Sequence, residues 1–232
     1  MSPPNVSLSE AKLRLIEAAE ILFADKGFET VSIRDITTAA KANVAAINYH
    51  FGSRDGLVNA ILSRYIVPVN DERLLRLDQA ERSHGSKPLP IEQIVDAFAR
   101  PLVTQVRKSE LSERLFFKLL GRSFAQQNQG LPPELEAQFS VLINRFVKAL
   151  AKTLPGLTQE ELVWRFHFAA GAMIHMLTHG EALVRLTGGA SGAPTMDATI
   201  SRFIRFAAAG FRDGLDLPPI EADHSQGLLF DF

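Results

Sequence analysis

The chain contains no cysteine, which excludes disulfides, thiolate-held zinc, iron–sulfur clusters and a cysteine nucleophile. An excess of one charge is also missing. The 25 Lys plus Arg against 26 Asp plus Glu leave a net charge of −1, so no global cationic field announces a nucleic-acid partner, and any affinity for DNA has to come from a local arrangement. Long hydrophobic runs are absent. The most apolar late stretch, 166–178, is broken by His167 and His175 and is too short to span a bilayer. Residues 1–10 lack the basic-then-apolar order of a secretory signal. The expectation is a soluble, cytoplasmic protein with no membrane partner. Alternation of β-branched residues is scarce, and no repeat of about 20 to 50 residues is visible.

What is present is an ordinary globular balance, 46% hydrophobic and 22% charged in 232 residues, enough to bury a core unaided. Helical spacing dominates it. Leu15, Ile16, Ala19, Leu22 and Phe23 share one face and Gly27 offers a left-handed closing position, which predicts a helix over 9–26. Ser32-Ile33-Arg34-Asp35 joins a hydroxyl able to cap the third amide to an acid that suits the positive helix end, and predicts a short helix over 32–39. Asn43 is a good N-cap for a helix over 44–50, and Ser53 for one beginning at Arg54. Beyond Leu57 the segments lengthen. Apolar stripes at 91–106, 110–127, 134–153, 159–185 and 195–214 are separated by breaks at 83–90, 128–133, 154–158 and 187–194. The fold class is all-α: an N-terminal three-helix helix-turn-helix domain over 1–57, a larger helical domain over 58–214, and a tail over 215–232 without a helix pattern.

Two short helices joined by a turn of three or four residues, the second polar at its open positions, have the form of a helix-turn-helix. The second helix fits the major groove and the first braces it. On that reading Ile33, Ile36, Ala39 and Ile47 pack inside, while Asn43, Val44, Ala45, Ala46, Asn48 and Tyr49 face DNA or solvent. Tyr49 and His50 position the phosphate backbone, Thr30, Ser32 and Arg34 do so from the second helix, and Arg54 beside terminal amides suits a phosphate. Between Thr30 and Arg54, Arg34, Lys41 and Arg54 stand against Asp35 alone, a small local positive excess. Spacing by itself leaves rivals open: a capped helix pair is often plain packing, Tyr49 can be a half-buried aromatic, and Arg34 can pair with a neighbouring acid.

These residues also carry a resemblance. Leu15-Ile16, Ala18-Ala19, Leu22-Phe23 and Gly27-Phe28, then Thr30 to Ile36, then Ile47-Asn48-Tyr49-His50-Phe51-Gly52-Ser53-Arg54-Asp55-Gly56-Leu57 agree in order and spacing with the DNA-binding domain of TetR-family transcriptional regulators. The resemblance implies a homodimer that sets two recognition helices on a near-palindromic double-stranded DNA operator, most often as a repressor. It also implies a dimerising, ligand-binding body, whose last two long helices pair with their symmetry mates. Asn43 to Phe51, Trp164-Arg165-Phe166-His167-Phe168 with Gly171, and Leu119 to Phe124 resemble the fatty-acid-responsive PsrA-like branch, which implies a long-chain fatty acid or acyl-CoA as effector. Two positions depart from the family pattern. Lys41 stands where Gly is usual, which implies a left-handed Lys at a cost of about 1 kcal/mol. Asn48 stands where Tyr is common, an amide able to pair with adenine or to touch a phosphate.

Sixteen Phe against one Trp and two Tyr is a skewed aromatic set. An apolar pocket lined by Phe117, Leu120, Phe124, Phe146, Phe166, Ala170 and Met173 suits a small apolar or acyl effector, with Arg122 for its carboxylate or phosphate group. Arg114, Arg145 and Arg165 also interrupt apolar stretches. An ordinary core and surface ion pairs are the rival explanations. His167, His175 and His179 share a helical face with Gly171, but no acid completes a zinc site, and helix packing or a dimer seam explains them better. Gly188 to Gly192 lacks the preceding strand and spacing of a phosphate loop, and Glu160-Glu161 suits a helix start. No catalytic residue, metal or cofactor is assigned, and an enzyme is not expected. The competing function is a helical protein-binding adaptor, without sequence-specific DNA binding and indifferent to changes at Tyr49 or Arg54.

Overall fold

A computed structural model describes residues 5–27, 30–108, 116–117, 133–192 and 195–213. Every helix named here lies among them: α1 (Asn5–Lys26), α2 (Ile33–Ala39), α3 (Val44–Phe51), α4 (Arg54–His84), α5 (Ile91–Lys108), α6 (Pro133–Thr153), α7 (Gln159–Leu186) and α8 (Met196–Arg212). No strand occurs among the described residues, so the chain is all-α, as its periodicity requires. The first helix begins earlier than the apolar stripe predicts. Phe116 and Phe117 are helical, while the rest of the expected 110–127 helix and the tail lie outside the described residues.

Local chemistry sets the boundaries. Gly27 closes α1 with φ +83° and an N–H to the Phe23 carbonyl at 3.1 Å, a conformation free of Cβ strain only for glycine. Ser32, Asn43 and Ser53 each cap the helix that follows, accepting from the backbone N–H of Asp35, Ala46 and Gly56 respectively. Gly56 has a second reason to be glycine, because a Cβ there would lie 1.8 Å from the Phe51 carbonyl oxygen. The sharp passage from α3 into α4 depends on that empty space.

Two apolar cores result. Leu15, Ala19, Phe23, Ile36, Ile47, Leu57 and Ile61 bury the first turns of α4 with α1 to α3. Ile66, Val69, Leu77, Phe98, Leu102, Phe146, Phe166 and Phe203 are among those that join α4 to the later helices. Helix α5 packs on α4, α6 and α8, α6 also touches α4 and α7, and α7 meets α8. Helix α4 therefore belongs to both units, and Tyr65 packs against both cores. Pro68 lies inside α4 just past this junction, where it withholds the N–H that would otherwise bond to the Arg64 carbonyl.

Candidate nucleic-acid interface and helical body

Hydrogen bonds hold both the start of α2 and its turn into α3. The Ser32 N–H donates to Asp35 Oδ2 at 2.8 Å, the Asp35 N–H donates to Ser32 Oγ at 3.2 Å, and the Ser32 hydroxyl donates to the same carboxylate at 2.6 Å. These bonds from Ser32 hold the Asp35 carboxyl below its ordinary pKa. Lys41 turns left-handed at φ +50°, and the Ala42 N–H reaches the Thr37 carbonyl at 2.8 Å. Asn43 Oδ1 then accepts from the Ala46 N–H at 2.9 Å. One placement is corrected: Ala39 is exposed and Ala40 is buried. Helix α2 ends at Ala39, and Ala40, its C-cap, still has right-handed backbone angles that carry its methyl inward. Ile36 and Ile47 are fully buried as expected, with Ile33 packed against them in part.

On α3, Val44, Ala45, Asn48 and Tyr49 are exposed. At 3.6 residues per turn they span an arc of roughly 140°, opposite buried Ile47. Tyr49 is 73% exposed, far more open than a ring that stabilises the domain from within. Its edge meets His50 at 5.1 Å between centroids. His50 is only half-exposed, and Ala46 leans on the core rather than outward. Arg34 and Lys41 are exposed as well.

Three other predicted contacts are engaged within the protein. The Thr30 hydroxyl bonds the Lys26 and Gly27 carbonyls at 2.5 and 3.0 Å, so it closes the end of α1. Ser32 is occupied by its capping box. Arg54 Nη2 donates to the Val31 carbonyl at 3.2 Å, with its guanidinium 5.7 Å from the Phe23 ring centre. It ties the start of α4 to the strap between α1 and α2. Nothing in residue spacing distinguishes such a brace from a phosphate contact.

In the body, Phe117, Phe146, Phe166 and Met173 are buried and Ala170 is half-buried; Leu120, Arg122 and Phe124, with Arg114, lie outside the described residues. Phe98 packs on Phe166 at 4.8 Å and on Phe146 at 5.5 Å, and the cavity these rings border holds about 10 Å³. A ligand pocket needs roughly 300 Å³ or more, so the rings fill their own core in this state. A groove of about 770 Å³ between α4, α5 and α8 is open and charged, with Arg76, Arg100, Arg202 and Arg205 among its lining. Arg145 bridges Asp78 and Glu81 at 2.5 and 2.7 Å. Arg165 donates to Glu161 at 2.7 Å and to the Gly210, Phe211 and Asp213 carbonyls at 3.0, 3.1 and 2.5 Å, holding the end of α8. Both are structural ion pairs or caps.

Arg73 escaped sequence reasoning. Asp71-Glu72-Arg73 reads as a solvated charged run, yet Arg73 is only 4% exposed. Its Nε donates to the Phe98 carbonyl at 2.7 Å and its Nη1 to Asn70 Oδ1 at 3.0 Å, with the guanidinium 4.2 Å from the Phe98 ring centre. Asn70 in turn donates to Gln138 Oε1 at 3.2 Å. Burial pushes the Arg73 pKa down to about 9. A signal existed, because Ile66, Val69, Asn70, Arg73 and Leu77 recur at helical spacing on the buried face.

Helices α7 and α8 leave a second apolar surface. Trp164, Phe168 and Phe206 are exposed, the last two at 65% and 70%, and Trp164 leans on Phe168 at 5.8 Å. Gly171, Ala209 and Gly210 are exposed, whereas Ala207 and Ala208 are buried within the subunit. His175 and His179 stack at 4.5 Å. No cluster of metal-ligating side chains occurs among the described residues, nor any helix long and apolar enough to cross a membrane.

Comparison with known proteins agrees with this architecture. Residues 15–61 match the family model of bacterial regulatory proteins of the tetR family, and residues 96–210 match that of the tetracyclin repressor-like C-terminal domain. The HTH-type transcriptional regulator YttP of Bacillus subtilis is 41% identical over 54 residues, 23% of this chain and 26% of the relative. The HTH-type transcriptional repressor Rv3405c of Mycobacterium tuberculosis is 42% identical over 53 residues, 23% of this chain and 28% of the relative. The chain thus spans about a quarter of the length of these curated relatives. The fold extends further: RolR, solved in complex with resorcinol, aligns over 93% of this chain and 97% of its own at 21% identity and a TM-score of 0.53. These relatives are regulators rather than enzymes. With a helix-turn-helix model on its first part and a body model on its second, the chain belongs to the TetR family of transcriptional regulators.

Proposed function

We propose that the protein is a ligand-responsive, DNA-binding repressor that acts as a homodimer on a near-palindromic operator. The observation that carries this reading is the strip of Val44, Ala45, Asn48 and Tyr49, open to solvent on a helix whose start is capped by Asn43. Asn48 is free to pair with a base edge and Tyr49 to meet the phosphate backbone, with Arg34 and Lys41 as flanking cations. The exposed Trp164, Phe168 and Phe206 support pairing of α7 and α8 with their copies. Two recognition helices then sit about 34 to 36 Å apart in successive major grooves.

The effector is a small apolar or acyl compound of the long-chain fatty acid or acyl-CoA class, taken up in the body among Phe117, Phe146, Phe166, Ala170 and Met173, with Leu120, Arg122 and Phe124 from the adjoining segment. The nearly filled cavity implies that such a compound binds a conformation with these rings moved apart. It releases DNA only to the extent that it prefers that conformation, since equal affinity for both shifts nothing. Helix α4 carries the change, because it is built into both cores.

Selection of the purified protein against random duplexes, repeated with Tyr49→Ala, tests the proposal. A palindrome enriched by the wild type and weakened across sequences by the variant is the expected result, with a flatter salt dependence. No enrichment at low salt removes the DNA-reading function and favours the adaptor.

A further inference from the structure

Arg73 has no acidic partner among the described residues. Glu72, its neighbour, pairs with Arg76 at 2.7 Å, and Asp78 and Glu81 pair with Arg145. The hydrogen bonds of Arg73 go to a backbone carbonyl and to an amide oxygen, both neutral. A guanidinium has five N–H donors, and Nη2 makes no hydrogen bond among the described residues. Buried cations are normally paired, because taking a charge out of water is costly. Evolution of a stable core alone would favour an apolar side chain at this position, at the helical spacing of Ile66, Val69 and Leu77.

We infer that Arg73, oriented by Asn70 and Gln138, is the anion-recognition group of the effector site, and that it takes the carboxylate of a small organic acid with an apolar body. The inference rests on the effector reading above and names its chemistry. One cation flanked by neutral amides matches a single negative charge rather than a polyphosphate. The planar fork suits the two oxygens of a carboxylate. Phe98, on which the Arg73 guanidinium lies, packs on Phe146 and Phe166, so the rings moved apart in the effector-bound conformation proposed above would supply apolar surface beside Arg73 for the rest of the acid. Arg73 also lies about one and a half turns beyond Pro68, on the helix whose first residue is Arg54. A carboxylate held there acts directly on the element shared by the two cores.

The test is thermal melting of the full-length protein with octanoate, decanoate, benzoate and phenylacetate, each beside its uncharged amide, and with inorganic phosphate as control. At least one carboxylate is expected to raise the melting temperature, its amide and phosphate to do far less, and Arg73→Met to weaken the response roughly ten- to a hundredfold in concentration. The chain-length and aromatic arms separate an acyl from an aryl acid. Arg73→Met removes a buried charge but leaves the Phe98 carbonyl and the buried Asn70 Oδ1 without this donor, so its ligand-free melt is measured first and each response is read against it. If that variant does not fold, Arg73→Lys keeps the charge but loses the fork, and weakened carboxylate binding is again expected. Equal responses to acid and amide, an undiminished response in Arg73→Met or in the Arg73→Lys fallback, or no response to any carboxylate overturns the site. Release of the selected operator is measured separately. Carboxylate binding through Arg73 without operator release leaves the site standing and removes the effector role, whereas loss of the site leaves the DNA-reading function untouched.

Discussion

Replacing Ser32 with alanine separates two roles that residue spacing alone cannot. The side chain closes a capping box at the start of a helix of seven residues, so α2 has little length over which to redistribute a lost bond. Removing Oγ leaves the Asp35 N–H without its acceptor at 3.2 Å and the carboxylate without the hydroxyl at 2.6 Å, although the Ser32 N–H still reaches Asp35 at 2.8 Å. Loss of a Ser N-cap typically costs about 1 kcal/mol, which lowers the melting temperature of a chain of this size by roughly 2 to 4 °C. Ser32→Asn supplies an equivalent acceptor and is expected to melt within about half of that loss from wild type. The Asp35 carboxyl, held below its ordinary value of 3.8, contributes stability that is present above that value and lost as pH falls through the lower folded one. In Ser32→Ala the folded value lies closer to the unfolded one, so this part of the acid loss shrinks and the pH profile flattens. Denaturant melts at several pH values, with operator affinity measured alongside, read all of this. An unchanged melt with a large loss of DNA affinity would refute the capping argument and return Ser32 to the phosphate contacts.

Four further outcomes are expected. Arg54→Ala should lower stability by about 1 kcal/mol, through its lost bond to Val31 and its contact with Phe23, as well as weakening operator binding; a melt identical to wild type would make it a phosphate contact alone. Gly56→Ala forces a methyl to within 1.8 Å of the Phe51 carbonyl and should cost about 3 kcal/mol, with hydrogen exchange showing lost protection in α2 and α3 before the body. Phe168→Glu combined with Phe206→Glu should give a monomer in sedimentation, and a persistent dimer would place the seam elsewhere. Glu81 is held below its ordinary value of 4.5, chiefly by its bond from Arg145, so its contribution is full above that pH and fades below it; Arg145→Gln should flatten this acid loss in a pH series of denaturant midpoints.

How much could be read beforehand divides along physical lines. Caps and closures are local: Gly27, Ser32, Asn43 and Ser53 act on amides and carbonyls within four residues of themselves, so their residue types alone predicted where α1 ends and where α2, α3 and α4 begin. The left-handed Lys41 was expected from the family pattern and is present. Even here a shift of one residue exchanged Ala39 for Ala40 in the core, because Ala40 keeps right-handed backbone angles and stands four residues after buried Ile36, on the same helical face.

The all-α class, the order of the described helices and the helix-turn-helix were legible from residue order, since each follows from periodicity and from side chains acting on their own backbone. Tertiary structure decided what the polar groups do. Thr30 closes α1, Arg54 braces the strap before α2, Arg145 and Arg165 join elements of the body, and Arg73 is buried against Phe98, with sequence separations from three to 67 residues. A charge responds to whatever surrounds it in space, and that company is chosen only when the helices pack.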